Sequence, residues 1–328
     1  MKKIIICLFF IFICTGCNYT ELNQISIITL LTIDKKNNTY FIQSLTTDEN
    51  IEELKSYEGK GKTISSALND LDLKLNKKMY LSHLQTIIIS EKLAKEGINP
   101  ILNYFLKNEN VRDNFYLIIA ENTDGKHILN KIKKEKLSLN SIYNLVSREK
   151  MNSPIINNTV NNFLKNMLDD GIDPSLNYIN KNLEIKNIAL FKNDKLIGKN
   201  THTNEINLLT GMNKSILISI KCKNNINVII NNIQIREKKK KNKLIITLYG
   251  TSEIIDGTCF LKNASLNKKI NNKLTSSLKK TIDELKIKNA DILGLGKKYN
   301  NEKNYFKKLN IKINTKIRLN NRNEEYYE

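Results

Sequence analysis

The chain has 328 residues, of which 40% are hydrophobic, so it can form packed cores, and its length favours two domains. Its formal net charge of +20 raises the question of nucleic-acid binding, but the lysines are scattered, tryptophan is absent, and the sequence lacks helix-turn-helix and aromatic RNA-binding patterns. We therefore exclude nucleic acid as a partner and assign most of the charge to solvated surface, with attraction to anionic lipid head groups as its physical consequence.

The first 17 residues have the layout of an export signal. Lys2 and Lys3 precede an apolar run from Ile4 to Ile13, and Gly16 directly precedes Cys17. About ten apolar residues rise only ~15 Å as a helix, roughly half the thickness of a bilayer core, so the run predicts a signal rather than a transmembrane anchor. We predict that residues 1–16 are a signal peptide and that the Cys17 thiol is lipidated. An ordinary cleaved signal and an uncleaved anchor are the alternatives.

Helix and strand patterns alternate between residues 17 and 182, which predicts a mixed N-terminal region of one or two subdomains. The predicted strands cover residues 25–33, 40–45, 85–89 and 115–120. The predicted helices cover residues 63–75, 91–95, 100–106, 125–132, 138–147 and 155–170. Gly97 is expected to end its helix in the left-handed region, and Gly171 and Pro174 are stop signals that place a domain boundary within residues 171–182.

From residue 183 to residue 328 the pattern changes to strands with polar alternate positions, which is typical of an antiparallel sheet. The predicted strands cover residues 183–191, 195–198, 216–220, 226–235, 244–249 and 309–319. Residues 201–209 predict a short helix and residues 264–288 a long one. The whole chain is therefore expected to be an α+β, multidomain protein: a mixed helix and strand N-terminal region, followed by a mainly antiparallel sheet domain with a long helix.

Two features of the second region have simple structural interpretations. Lys238 to Lys241, with Lys243, lie between two strand-like segments and predict a hairpin tip rather than a binding site. Cys222 and Cys259 are the cysteines left after Cys17 and the signal, and a chain of this size does not require a disulfide. We expect two separate buried thiols.

The sequence carries no recognisable catalytic or metal-binding motif. His83, His127 and His202 are not at metal-ligand spacing, and the chain after Cys17 lacks the HExxH, CxxC and EF-hand patterns. Gly294 and Gly296 form an isolated GxG without the third glycine of a dinucleotide fingerprint. We predict no catalytic residue, no metal and no cofactor, and hence a protein that is not an enzyme.

Four sequence blocks in fixed order point to a family. They are ELNQISII from Glu21 with Ile33 and Asp34, GKTI from Gly61 with MYLSHLQTIIISEKLAKEG from Met79, ALFKNDKLIG from Ala189, and DILGLG from Asp291. Together they resemble the C subunit of spore germinant receptors, the Ger(x)C family of lipoproteins. The resemblance implies distinct mixed α+β domains tethered by lipid to the outer face of the spore inner membrane. It also implies a complex with an A subunit and a permease-like B subunit that triggers germination when a small nutrient binds.

The densest blocks suggest where those partners would be contacted. The loops around Tyr80 to Leu84 and Gly294 to Lys298 are the candidates, with Tyr80, His83, Leu84, Gly294 and Gly296 as either partner contacts or structural groups. A lone histidine is more often a structural group than a ligand. The two glycines are equally explained by a tight turn in which Asp291 bonds backbone amides.

Two other functions remain open from the residues alone. An exported solute-binding lipoprotein usually has two parallel βαβ lobes, which the antiparallel pattern after residue 183 disfavours. A lipid-anchored cell-wall hydrolase needs a convergent acid, metal or thiol site, which the sequence does not offer.

Overall fold

Two large β-sheets organise the chain, an eight-stranded one in the first part and a four-stranded one in the second. The computed structural model describes residues 21–48, 51–147, 155–156, 159–300, 302 and 304–320. Helices and strands are mixed throughout, which confirms the predicted α+β fold class. The predicted signal peptide and Cys17 lie outside the described residues.

In chain order, the strands of the described residues are β1 (Ile25–Ile27), β2 (Leu30–Lys36), β3 (Thr39–Asp48), β4 (Ile51–Gly61), β5 (Lys78–Tyr80), β6 (Thr86–Ser90), β7 (Tyr116–Ala120), β8 (Ser175–Ile179), β9 (Ile188–Lys192), β10 (Lys195–Asn200), β11 (Ile216–Lys221), β12 (Asn225–Lys240), β13 (Lys243–Asp256) and β14 (Asn310–Leu319). The α-helices are α1 (Ile64–Lys74), α2 (Glu91–Glu96), α3 (Asn99–Lys107), α4 (Gly125–Lys134), α5 (Ser141–Ser147), α6 (Val160–Leu168), α7 (Thr203–Leu209), α8 (Asn263–Ile287), α9 (Leu295–Tyr299) and α10 (Tyr305–Lys308).

The centre of the eight-stranded sheet is parallel and fully covered. The strand order is β10-β9-β8-β7-β6-β2-β3-β4, with β2, β6, β7 and β8 parallel and antiparallel pairs at both ends. Every residue of β6 and β7 is buried, as expected for parallel strands with helices on both faces. Ile87 and Ile89 join the core beneath α1, α2, α3 and α6, whereas Ile88 points into the core beneath α4 and α5.

The four-stranded sheet packs one face against the long helix α8. Its order is β11-β12-β13-β14, antiparallel except that β14 runs parallel to β13. Leu244, Ile246 and Leu248 of β13 share a core with Leu274 and Leu278 of α8. The predicted hairpin tip is confirmed, because β12 ends at Lys240 and β13 begins at Lys243.

Several predicted boundaries were wrong for local reasons. The helix predicted over residues 155–170 is limited to α6, because Thr159 forms a bridge to Tyr116 instead of a helical turn. The strand predicted from residue 183 begins only at Ile188, because Leu183 has a positive φ of 61° and forms a turn. Strands β4 and β8 were not predicted at all. Gly97 ends α2 with φ 126° and ψ 141°, which lies outside the left-handed helical region but is still open almost only to glycine.

Cys222 and Cys259 form a disulfide, which corrects the prediction of two separate thiols. Their Cα atoms lie 5.7 Å apart. The sheet explains the pairing, since Lys221 of β11 pairs with Asn225 at the start of β12, and Asp256 at the end of β13 pairs with Asn227. The segment after β13 therefore begins beside the β11–β12 turn, a proximity that a sequence separation of 37 residues does not reveal.

The eight-stranded sheet extends past residue 182. Strands β9 and β10 belong to it, although they follow the boundary that the sequence places within residues 171–182. β8 and β9 pair directly, with Ser175 opposite Leu190. The two-domain division at residues 182 and 183 therefore remains a proposal about units of sequence, since one sheet contains strands from both sides of it.

Candidate functional site

The loop from Tyr80 to Leu84 connects the small parallel sheet to the core. Tyr80 lies opposite Ile27 in the β1–β5 pair, and its carbonyl accepts a hydrogen bond from the Ile28 amide at 3.0 Å. The Leu84 amide donates to the Leu81 carbonyl at 2.9 Å. Leu84 is only 2% exposed, so its side chain belongs to the core and is closed to a partner.

The outward side of this loop is a small patch of Ile27, Tyr80 and His83. Ile27 is 39% exposed and Tyr80 is 37% exposed. The rings of Tyr80 and His83 lie 5.9 Å apart, and His83 is exposed. We call these three residues the Tyr80 patch. It is a surface on which an aromatic and an aliphatic group are accessible together, as at the centres of many protein contacts.

The 291–297 loop follows α8 and is held by its own aspartate. The Asp291 carboxylate accepts hydrogen bonds from the Leu295 amide at 3.0 Å and the Gly296 amide at 2.5 Å. Gly294 has a left-handed φ of 66°, which glycine adopts without strain. The turn that the sequence suggested around Asp291 is therefore present.

This loop is fastened to the segment that leads into β8. The Gly171 carbonyl accepts a hydrogen bond from the Lys297 amide at 2.7 Å. A Cβ atom on Gly296 would lie 2.8 Å from that same carbonyl oxygen and 3.0 Å from Asp291, so the backbones approach too closely for any side chain. Gly296 is buried, and its contacts make it a structural group between the two parts of the chain.

Two aspartates complete this junction. The Asp173 amide donates to the Asp291 carbonyl at 2.9 Å, and the Asp291 amide donates to the Asp173 carboxylate at 2.7 Å. Lys192 of β9 balances the charge, with its ammonium 3.0 Å from the Asp173 carboxylate. We define Gly171, Asp173, Lys192 and residues 291–297 as the junction.

Burial raises the pKa of Asp291 to about 6, because removing the carboxylate from water disfavours its charged form. The hydrogen bonds from the Gly296 and Leu295 amides act in the opposite direction, and the charge of Asp173 adds to the rise. The cause is therefore structural, and the shift by itself does not mark a catalytic acid.

Sequence reasoning did not connect Asp173 and Lys192 with the 291–297 loop. In the sequence Gly171 indicates only the end of a helix, whereas in the fold its carbonyl accepts a hydrogen bond from the loop and its lack of a side chain leaves room for the loop backbone. Because more than 100 residues separate Asp173 from Asp291, only the fold brings the two together. The pattern of glycines at positions 171, 294 and 296 was the one available signal.

The described residues contain no group of three or more histidine, cysteine, aspartate or glutamate side chains that could hold a metal ion. The histidines lie apart: His127 Nδ1 contacts Asp124 at 2.7 Å, and His202 Nε2 contacts Glu284 at 3.2 Å. In the same part of the chain, no helix is both long and apolar enough to cross a membrane.

A cavity of about 820 Å³ opens at the end of the eight-stranded sheet beside α4. Its lining combines apolar side chains, including Ile27, Leu54 and Leu137, with polar ones, including Lys133 and Lys136. This size lies within the usual range for small-molecule sites. It is a candidate pocket for an amphipathic ligand.

Comparisons with known proteins cover almost the whole chain. Residues 18–181 match a family model described as "Spore germination protein N-terminal domain". Residues 186–323 match a second model, described as "Spore germination B3/GerAC like, C-terminal".

Individual relatives match over shorter stretches. Spore germination protein GerQC of Bacillus cereus is 30% identical over 151 residues, which are 45% of this chain and 42% of the relative. Putative spore germination protein YfkR of Bacillus subtilis (strain 168) is 26% identical over 230 residues, which are 60% of this chain and 58% of the relative. The chain thus spans about half the length of these curated relatives.

A solved structure supports the fold. The crystal structure of the GerBC protein superposes with a TM-score of 0.54 and 16% identity, over 89% of this chain and 97% of that one. At this level of identity the match establishes a shared fold.

Proposed function

Because the chain belongs to the family of GerAC-like spore germination proteins, we propose that it is the lipid-anchored C subunit of a nutrient germinant receptor, needed to trigger spore germination. The observation that carries the proposal is the match of both family domains, in order, over residues 18–181 and 186–323. The shared fold with the GerBC protein agrees with it.

The proposed anchor is the diacylglycerol on Cys17. Ile25, the first residue of β1, lies eight positions after Cys17, and an extended chain of eight Cα-to-Cα steps reaches at most about 28 Å. The folded part would therefore lie close to the bilayer, on the outer face of the spore inner membrane. A lipid tether also fits the apolar run of the signal, which is too short to span.

The proposed mode of action is non-enzymatic. The subunit holds or reports on the membrane-embedded A and B subunits, which makes protein contact its chemistry. The Tyr80 patch is our candidate for that contact, because Tyr80 and Ile27 expose apolar surface on a loop whose backbone is fixed by hydrogen bonds. Leu84 and Gly296 are buried, so we assign them structural roles instead.

Co-purification tests this proposal. Tagged protein should recover the A and B subunits from detergent-solubilised spore membranes, and Tyr80→Ala should reduce the recovery. The matched control is Leu73→Ala on α1, a side chain that is 86% exposed elsewhere on the surface. Recovery of neither subunit with the unaltered protein would remove the receptor assignment, whereas equal recovery with both variants would remove only the Tyr80 patch.

Direct capture of a small solute is a second candidate function, and the cavity between Ile27 and Leu137 favours it. Apolar side chains beside two lysines in one cavity suit a ligand that combines an anionic group with an aliphatic part. Titration calorimetry with nutrient germinants distinguishes solute capture from the scaffold function. A saturable heat of binding that is lost in a Lys133→Gln, Lys136→Gln variant supports capture. If the unaltered protein gives no heat of binding, only the scaffold function remains.

A further inference from the structure

The face of the four-stranded sheet that points away from α8 is open and basic. Side chains that pair across β12, β13 and β14 point to the same side of the sheet, and the inward set includes Leu244, Ile246 and Leu248. The outward set forms five successive rows across the three strands: Lys240, Lys243 and Asn310; Lys238, Ile245 and Lys312; Arg236, Thr247 and Asn314; Gln234, Tyr249 and Lys316; Asn231, Thr251 and Arg318. We call these 15 residues the basic face.

The 15 residues of the basic face include cations and no carboxylate, and Glu253, the next outward residue of β13, lies one row beyond them. Seven residues of the face are lysine or arginine and none is aspartate or glutamate: Arg236, Lys238, Lys240, Lys243, Lys312, Lys316 and Arg318. All seven are exposed, and none forms an ion pair within the described part of the chain. By contrast, Lys298 near the opposite face pairs with Glu237 at 2.8 Å. Unbalanced charge of one sign on one face attracts a polyanion.

An aromatic ring lies at the middle of these cations. Tyr249 is half-buried, with the Arg236 guanidinium 5.0 Å and the Lys316 ammonium 5.5 Å from its ring centroid. Next to it, Ile245 and Thr247 are also only half-buried. Tyrosine beside basic groups is typical of protein surfaces at the head-group level of a bilayer, because its ring is apolar and its hydroxyl is polar.

We propose that the basic face binds the head groups of an anionic phospholipid bilayer. The ten paired residues of β13 and β14 extend over roughly 33 Å, so the cations are spread along a sheet surface instead of converging on one pocket. Lysine is depleted at protein–protein interfaces, whereas clusters of basic residues beside a membrane bind anionic lipids. The hairpin tip of Lys238 to Lys241, which the sequence suggested was only a turn, lies at one end of this surface.

This inference deepens the proposed function, since a lipid-tethered chain would meet such a bilayer. It gives the second part of the chain its own membrane contact, besides the tether at Cys17. Binding by the basic face does not depend on the lipid tether, so an experiment can contradict either proposal without contradicting the other.

Vesicle co-sedimentation tests the proposal on residues 18–328, which include every described residue and cannot be lipidated. We expect binding to phosphatidylglycerol-containing vesicles and not to pure phosphatidylcholine. Binding should weaken with salt, because the Debye length falls from about 10 Å at 0.1 M to about 3 Å at 1 M. The triple variant Lys238→Gln, Lys312→Gln, Lys316→Gln should lower the partition coefficient on the order of 100-fold, at roughly a factor of five for each basic residue.

A second triple variant keeps the test specific. Lys268→Gln, Lys273→Gln, Lys279→Gln removes the same charge from exposed positions on α8, on the other side of the sheet, and should bind vesicles within a few-fold of the unaltered protein. Equal loss in both variants means a general charge effect and overturns the proposal. Residues 321–328 contain Glu324, Glu325 and Glu328. If vesicle binding appears only after these residues are removed, the proposal is also overturned, because this chain's own acidic end would then cover the basic face. Unchanged vesicle binding with lost recovery of the A or B subunit would make it a protein contact instead.

Discussion

Asp173 and Asp291 hold each other through their backbones: the amide of each donates a hydrogen bond to the other residue, at 2.9 Å to the Asp291 carbonyl and at 2.7 Å to the Asp173 carboxylate. This reciprocal pair joins the segment before β8 to the 291–297 loop after α8. The four-stranded sheet is thereby fixed to the eight-stranded one at a point where both backbones are buried. The DILGLG block from Asp291 therefore has a structural role, which is to hold this loop against the segment before β8.

The first prediction concerns the close approach at the junction. Gly296→Ala would place a Cβ atom 2.8 Å from the Gly171 carbonyl oxygen, so the loop must shift. We expect a loss of about 1–3 kcal/mol in the free energy of unfolding, as for overpacked sites. Chemical denaturation measures it. The control is Gly198→Ala, where the nearest atoms are 3.4 Å away on the flexible Lys288 side chain and the change should stay within about 0.5 kcal/mol.

The second prediction concerns pH. The pKa of Asp291 is about 6 in the folded chain, above its ordinary value of 3.8, so the folded state holds this proton more tightly than the unfolded state does. The contribution to stability is complete below pH 3.8 and is lost as the pH rises through 6, by at most about 3 kcal/mol.

Asp291→Asn isolates that contribution, because an amide does not titrate in this range. The difference in unfolding free energy between the unaltered chain and the variant should fall as the pH rises from 4 towards 6. A difference that stays constant, or one that rises, would show that the carboxyl is not held in a raised-pKa environment.

The third prediction concerns the disulfide. Cys222 and Cys259 close a loop across 37 residues, for which the chain-entropy relation gives about 4 kcal/mol of stabilisation. Reducing agent should therefore lower the denaturation midpoint of the unaltered chain and have no effect on the Cys222→Ser, Cys259→Ser variant. A thiol titration that finds two free cysteines in the purified, unreduced chain would contradict the bond.

The fourth prediction concerns the anchor. A Cys17→Ala variant should lose incorporation of labelled fatty acid, because its thiol is the proposed acceptor. It should move to the soluble fraction when membranes are washed at high salt, which screens the basic face, because a buried acyl chain would otherwise supply about 0.8 kcal/mol for each methylene. Cys7→Ala, within the apolar run of the signal, is the matched control and should remain labelled. If Cys17→Ala is still lipid-labelled, the modified residue is a different one.

The sequence predicted the secondary structure well where periodicity is strong. The buried strand from Thr86, the helix α8 and the β12–β13 hairpin follow directly from runs of apolar residues and their spacing. It failed where local signals compete with tertiary contacts. β4 is polar along much of its length, and its Gly59 is explained only by the backbone of α1 that packs against it.

The candidate site was less predictable than the fold, for a physical reason. The close approach of two backbones at Gly296 is visible in the sequence only as a glycine. The residue that it approaches, Gly171, is more than 100 residues away. The basic face likewise depends on strand register: Lys238 and Lys312 become neighbours of Ile245 only when β12 and β14 pair with β13. Alternation within each strand could indicate which residues share a side, but not which strands would meet.

Germination of spores that lack this protein tests the central claim most directly. Deleting the gene, in a strain with no second copy of this subunit, should abolish germination in response to nutrients, while calcium dipicolinate, which bypasses the receptor, should still trigger it. Re-expression of the unaltered chain should restore the nutrient response. A deletion strain that responds normally to every nutrient would contradict the assignment of this chain as a germinant receptor subunit.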